Sequence, residues 1–112
     1  MILYHNPRCS KSRAALTLLQ ERNISPIIIE YLKQPLDRMA VADLLAKLQL
    51  PAKAIIRTKE AREAGVNLEA AEGDLIQAIA DHPAILERPI LVVGDRAVIG
   101  RPTEALLPLL SA

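Results

Sequence analysis

The chain has 112 residues, the length of one domain, and its 51% hydrophobic and 24% charged content is that of a globular protein. A formal net charge of +1 gives no bulk electrostatic footprint for nucleic acid, and no apolar run approaches the roughly 20 residues of a membrane span. A single cysteine excludes an internal disulfide and a CxxC pair, and one cysteine with two widely spaced histidines is too few for a zinc site. The start, "MILYHN", has neither a basic region nor a cleavage pattern, so a cytoplasmic protein is expected.

Residues 1–5, "MILYH", form a short apolar run and read as a buried strand. "NPRCS" follows as a loop punctuated by Pro7. A helix is expected from Ser10 to about Arg22, with Ala15, Leu18, Leu19 and Arg22 on one face and Asn23 as its stop. "PIIIEYL", 26–32, is a second strand, apolar enough to be internal. Strand, helix and strand at this spacing make a parallel βαβ unit.

In "LDRMAVADLLAKLQL", Asp37 can cap a helix, Leu36 and Val41 stand at the staple positions, and Val41, Leu44, Leu45 and Leu48 make a buried stripe. Residues 51–66 read as a short helix, a turn around Arg57 and a second helical piece ending at Gly65. Another helix covers about 72–81, with Leu75, Ile76 and Ile79 facing inward and Pro83 beyond its end. "RPILVVGDRAVIGRP" reads as two antiparallel strands, 89–93 and 96–99, joined by a tight Gly94-Asp95 turn. A last helix starts near Pro102–Thr103, and Pro108 inside it should kink or shorten it. The sum is an α/β, thioredoxin/glutaredoxin-like plan. It has a four-stranded mixed sheet, β-α-β then β-β-α, in a single domain with a helical insertion over about 36–83.

Chemistry concentrates around Cys9, where the first strand hands over to the first helix. Unpaired amides and the helix dipole favour an anion there, and Arg8, Lys11 and Arg13 stand close in sequence. Such surroundings lower a thiol pKa; the alternative is an inert buried cysteine. Ser12 occupies the place of the second thiol in a dithiol redox protein, so redox chemistry here needs an external thiol. Ser10 and Ser12 can cap the helix, support the thiolate, or both. His5 either tunes the thiolate or is a satisfied strand-end histidine, and His82 reads as a partner of a helix C-terminus. Arg88-Pro89 opens a strand and is a candidate cis peptide. In the thioredoxin plan that turn packs against the nucleophile loop, so Arg88 can reach the site, though by itself it reads as a surface arginine at a strand start. Arg101, at the same end of the sheet, and Arg57, in the irregular inserted segment, are bland by themselves.

Taken together, "YHNPRCSKSR", "AIIRTKE", "DHPAILERPILVV" and "IGRPTE" resemble, in order and spacing over essentially the whole chain, the ArsC-type, glutaredoxin-linked arsenate reductases. The resemblance implies a nucleophilic cysteine at Cys9, which attacks arsenate, and three oxyanion-holding arginines at Arg57, Arg88 and Arg101. It also implies glutathione as co-substrate, glutaredoxin as the final reductant, and no bound metal or organic cofactor. A monomer is expected. Two departures stand out: "SKS" replaces Gly-Thr-Ser after the cysteine, and the chain is shorter at its C-terminus than well-characterised members. Two other readings share the fold: a glutathione-dependent thiol oxidoreductase, and a redox regulator that binds RNA polymerase. The regulator branch carries a CxxC switch, which Ser12 lacks here.

Overall fold

The computed structural model describes residues 1–110. The chain divides into two compact units: Met1–Gln34 with the segment from Arg88 onward, and Pro35–Glu87.

The first unit is built on a four-stranded sheet. Strand β1, Ile2–His5, leads through a loop into helix α1, Ser10–Glu21, and the chain returns as β2, Ile27–Glu30. β1 and β2 are parallel, with Ile2 opposite Ile27 and His5 opposite Glu30. Strands β3, Ile90–Val93, and β4, Arg96–Ile99, form an antiparallel hairpin. β3 runs antiparallel to β1, with Leu3 opposite Leu91. The sheet order is therefore β2-β1-β3-β4, the mixed thioredoxin-like arrangement expected. Gly94 turns the hairpin at φ +61°, a left-handed conformation that costs glycine nothing.

Leu3 and Leu91 project from one sheet face onto Ala15 and Leu19 of α1 and onto Leu106, and all five are fully buried. Leu16, Leu18, Ile24, Val93, Val98 and Leu110 pack around them. α1 thus lies across this face with its N-terminus at the His5 end of β1. Arg22 is exposed rather than part of the apolar face, and Asn23 ends the helical region in the left-handed conformation at φ +59°.

β2 departs from expectation. It is an edge strand, with Ile27 64% and Ile28 42% exposed. Its aliphatic run matches an internal strand, but β3 takes the other side of β1 and leaves β2 one neighbour only. The C-terminal segment also differs. A 3-10 turn over Thr103–Leu106 precedes helix α5, which runs Leu107–Leu110 among the described residues. Pro108 is the second residue of α5, where its missing N–H has no intrahelical partner to lose. Division of the helix, rather than a kink, accommodates this proline.

The second unit contains three helices: α2, Arg38–Leu48; α3, Thr58–Glu63; and α4, Glu72–Asp81. Asp37 caps α2 through a bond from the Ala40 N–H to its carboxylate at 2.8 Å. Val41, Leu44 and Leu45 are buried, as are Leu75 and Ile79 of α4, which packs against α2. Glu72 accepts the Ala52 N–H at 2.9 Å and so anchors the 3-10 turn over Ala52–Ile55. An antiparallel bridge joins Ile56 to Leu86; the Arg57 N–H donates to Ile85 O at 2.7 Å and the Glu87 N–H to Ile55 O at 2.8 Å. No helix among the described residues is long and apolar enough to cross a membrane.

Candidate functional site

Cys9 is the N-cap residue of α1, in extended conformation at φ −93° and ψ 123°. The loop before it is fastened at several points. The Cys9 N–H donates to Asn6 O at 3.0 Å, and the Arg8 N–H donates to Asn6 Oδ1 at 3.0 Å. Arg13 reaches back from α1 to Pro7 O at 3.0 Å. Arg8 is thus fastened through its backbone N–H, and the Arg13 guanidinium is directed to the loop carbonyl.

The guanidinium groups at the sulfur come from the β3 side of β1. Arg88 stands immediately before Pro89 and β3, and Arg101 follows β4 by two positions. Both are half-buried. Arg101 Nη2 donates to Cys9 Sγ at 3.4 Å, and its Nε donates to Arg88 O at 2.7 Å. That second bond ties the two arginines together through the backbone. Arg88-Pro89, the candidate cis peptide, is cis, and so is Arg101-Pro102.

Burial alone would push the Cys9 thiol up. The Ser12 amide, the Arg88 guanidinium and the Lys11 amide outweigh it, and the pKa lies below that of an ordinary cysteine. The thiol makes no capping hydrogen bond of ordinary geometry. A charge–dipole attraction needs no linear bond, so the amides of the first helical turn still favour the thiolate. Arg101 contacts the sulfur and the Arg88 guanidinium lowers its pKa, and the Arg101–Arg88 bond joins the two into one cationic wall.

Ser12 is fully buried, and its hydroxyl points away from a simple capping role. Ser12 Oγ accepts the Asn6 N–H at 3.0 Å and lies 2.6 Å from His5 Nδ1. Its contribution to Cys9 is through its backbone amide. His5 is only 6% exposed, and burial holds its pKa below the ordinary histidine value, against the attraction of Glu30 and with the repulsion of Arg13. The ring is neutral near pH 7, and the hydrogen bond to Ser12 fixes it against the N-terminal turn of α1. Ser10 is exposed at the first position of the helix.

The first unit thus brings together Cys9, Arg88, Arg101, Ser12 and His5. Arg57 lies in the second unit, as the N-cap residue of α3. Its Nη1 meets Glu87 Oε1 at 3.0 Å, and its Nε lies 3.2 Å from Glu60 Oε2. Burial would lower its pKa, but the two carboxylates raise it. Glu60 and Glu87 were not legible as site residues, although the i,i+3 spacing of Arg57 and Glu60 is a helical pairing signal. Among the described residues, no group of three or more His, Cys, Asp or Glu could hold a metal ion.

Chemically, the first-unit site presents a cysteine of lowered thiol pKa at a helix N-terminus beside two guanidinium groups. Such an arrangement suits attack on a tetrahedral oxyanion.

Residues 4–109 match the ArsC family. An arsenate reductase of Neisseria meningitidis is 46% identical over 106 residues, which are 91% of each chain. A second, from Haemophilus influenzae, is 40% identical over 114 residues and 98% of each chain. Among solved structures, the arsenate reductase from Vibrio cholerae superposes with a TM-score of 0.90 at 38% identity, covering 96% of this chain and 94% of that one. With a family match over nearly its whole length and full-length relatives at this identity, the chain belongs to the ArsC family.

Proposed function

We propose that this protein reduces arsenate to arsenite, with Cys9 as the nucleophile and glutathione and glutaredoxin as reductants. The observation that carries the reading is the 3.4 Å contact between Arg101 Nη2 and Cys9 Sγ at the N-terminus of α1. It couples a lowered thiol pKa to a guanidinium able to hold an oxyanion. The arsenate reductases among its relatives supply the substrate.

In this reading Arg88 and Arg101 neutralise the arsenate oxygens that would repel the thiolate, and they orient arsenic for attack. The family resemblance implies Arg57 as a third ligand. Cys9 Sγ forms a bond to arsenic as one oxygen departs, protonated, as water. Ser12 is no resolving cysteine, so the glutathione thiol displaces a second oxygen as water. A glutaredoxin thiolate then attacks the glutathione sulfur. A disulfide forms, the arsenic–glutathione bond breaks, and its electron pair stays on arsenic, taking As(V) to As(III). Water hydrolyses the remaining Cys9–arsenic bond, releasing arsenite and the thiol.

Arsenite release is measured with arsenate, glutathione and glutaredoxin, omitting each in turn. Turnover should require all three. Equal rates without glutaredoxin or glutathione would overturn the assigned reductants, and no arsenite in the complete mixture would overturn the assigned substrate.

A further inference from the structure

A cavity of about 220 Å³ opens on the β2 side of the cysteine loop, walled by His5, Pro7, Arg8, Glu30, Leu32 and Lys33. It lies across β1 from the Arg88–Arg101 wall, because the sheet order places β2 and β3 on opposite sides of β1. Its charges are two cations and one carboxylate. Lys33 and Glu30 meet only loosely, at 3.6 Å, with the lysine side chain 79% exposed. His5 contributes a neutral ring whose Nδ1 is engaged by Ser12, so Nε2 is its remaining polar atom. Leu32, 47% exposed, adds an apolar lip.

We propose that this cavity seats the peptide thiol that attacks the Cys9–arsenic adduct, a zwitterion with two carboxylates and one ammonium, the charge pattern of glutathione. This rests on the reading of Cys9 as a nucleophile dependent on an external thiol. Arg8 and Lys33 receive the carboxylates and Glu30 receives the ammonium, replacing the loose Lys33–Glu30 pair. Arg8 is the residue before Cys9, and neighbouring Cα atoms lie about 3.8 Å apart. A tripeptide of about 10 Å extended length therefore reaches from the cavity to the sulfur. With the oxyanion held on the β3 side, the incoming thiol arrives from the β2 side and does not compete for the arginines.

The probe is S-methylglutathione, whose capped sulfur cannot react, titrated into the intact protein while amide chemical shifts are followed. Shifts should centre on residues 6–8 and 30–33. Lys33→Glu should weaken the Kd at least tenfold. Glu30→Gln should weaken it as well, yet alter affinity for the analogue lacking the α-amino group less than twofold. Shifts centred elsewhere, or a Kd unchanged in both variants, would overturn the proposal. Circular dichroism confirms that these surface variants fold. Binding at the cavity without arsenate turnover supports the site while removing the arsenate reading. Turnover whose glutathione KM ignores both variants removes the site and leaves that reading standing.

Discussion

Replacing Ser12 by alanine removes one oxygen from a fully buried position and orphans two polar groups at once. The Asn6 N–H loses its acceptor at 3.0 Å, and His5 Nδ1 loses its partner at 2.6 Å. An unsatisfied buried group costs about 1–3 kcal/mol. The Asn6 bond is partly buried and belongs at the low end of that range, whereas the His5 bond is buried and belongs higher. Together they predict a loss of about 2–4 kcal/mol on a total that is typically about 5–15 kcal/mol. Urea unfolding of Ser12→Ala should show a lower midpoint with an unchanged slope, and hydrogen exchange at the Asn6 amide should accelerate. Ser10→Ala, two positions away and exposed, is the internal control and should change stability by less than about 0.5 kcal/mol. If Ser12→Ala behaved like Ser10→Ala, the buried His5–Ser12–Asn6 link would not hold the cysteine loop to α1, and the reasoning would be refuted.

Alkylation of Cys9 against pH should show its midpoint moving upward in Arg88→Ala, because that guanidinium stabilises the thiolate; a midpoint at or below wild type would contradict the electrostatic account. Arg101→Ala should weaken oxyanion binding more than Arg96→Ala, an exposed arginine on β4, and equal affinities in the two variants would remove Arg101 from the site. Since His5 titrates lower in the folded chain than when unfolded, its charged form favours unfolding. Its contribution to stability is complete above about pH 6.5 and declines as pH falls toward the folded value. The stability difference between wild type and His5→Gln should therefore shrink from pH 7.5 to 5.5, and a constant difference would show that His5 is not held neutral by burial. Asp37→Ala should cost about 1 kcal/mol in thermal or urea unfolding, and no loss would mean that the Ala40 bond does not cap α2.

Features carried by short-range chemistry were legible in the sequence. The Asp37 cap, the Gly94-Asp95 turn and the cysteine at a strand-to-helix junction all depend on residues a few positions apart. The helical bounds around Arg57 and at 72–81 followed from the same local signals. β2 lies at an edge rather than inside the sheet, and its sequence does not show this because Ile27 to Ile29 look alike in an internal strand and a one-sided edge strand. Only the placement of β3, more than sixty residues later, distinguishes them. Pro108 was opaque for a related reason: the sequence marks a helix breaker, but not that the helix would divide just before it. The arginines divide similarly. Arg8 and Arg13 are conspicuous beside Cys9, yet the Arg8 N–H bonds to the Asn6 side chain and the Arg13 guanidinium to Pro7 O, while Arg101 reaches the sulfur across 92 positions. Composition and spacing alone could not select Arg88 and Arg101: the expected topology brought Arg88 within reach of the nucleophile loop, and family resemblance singled out both. Nor could they reveal Glu87 as a partner of Arg57, since the Ile56–Leu86 bridge creates that pair.

The central claim is that one thiolate, Cys9, performs the attack on arsenic. It is tested most directly by arsenite formation from arsenate with saturating glutathione and glutaredoxin, comparing wild type with Cys9→Ser. Serine keeps the size and the N-cap position but offers a hydroxyl in place of the thiolate. The account predicts arsenite from the wild type and none above background from Cys9→Ser, with both proteins equally folded. Equal rates from the two proteins would contradict it.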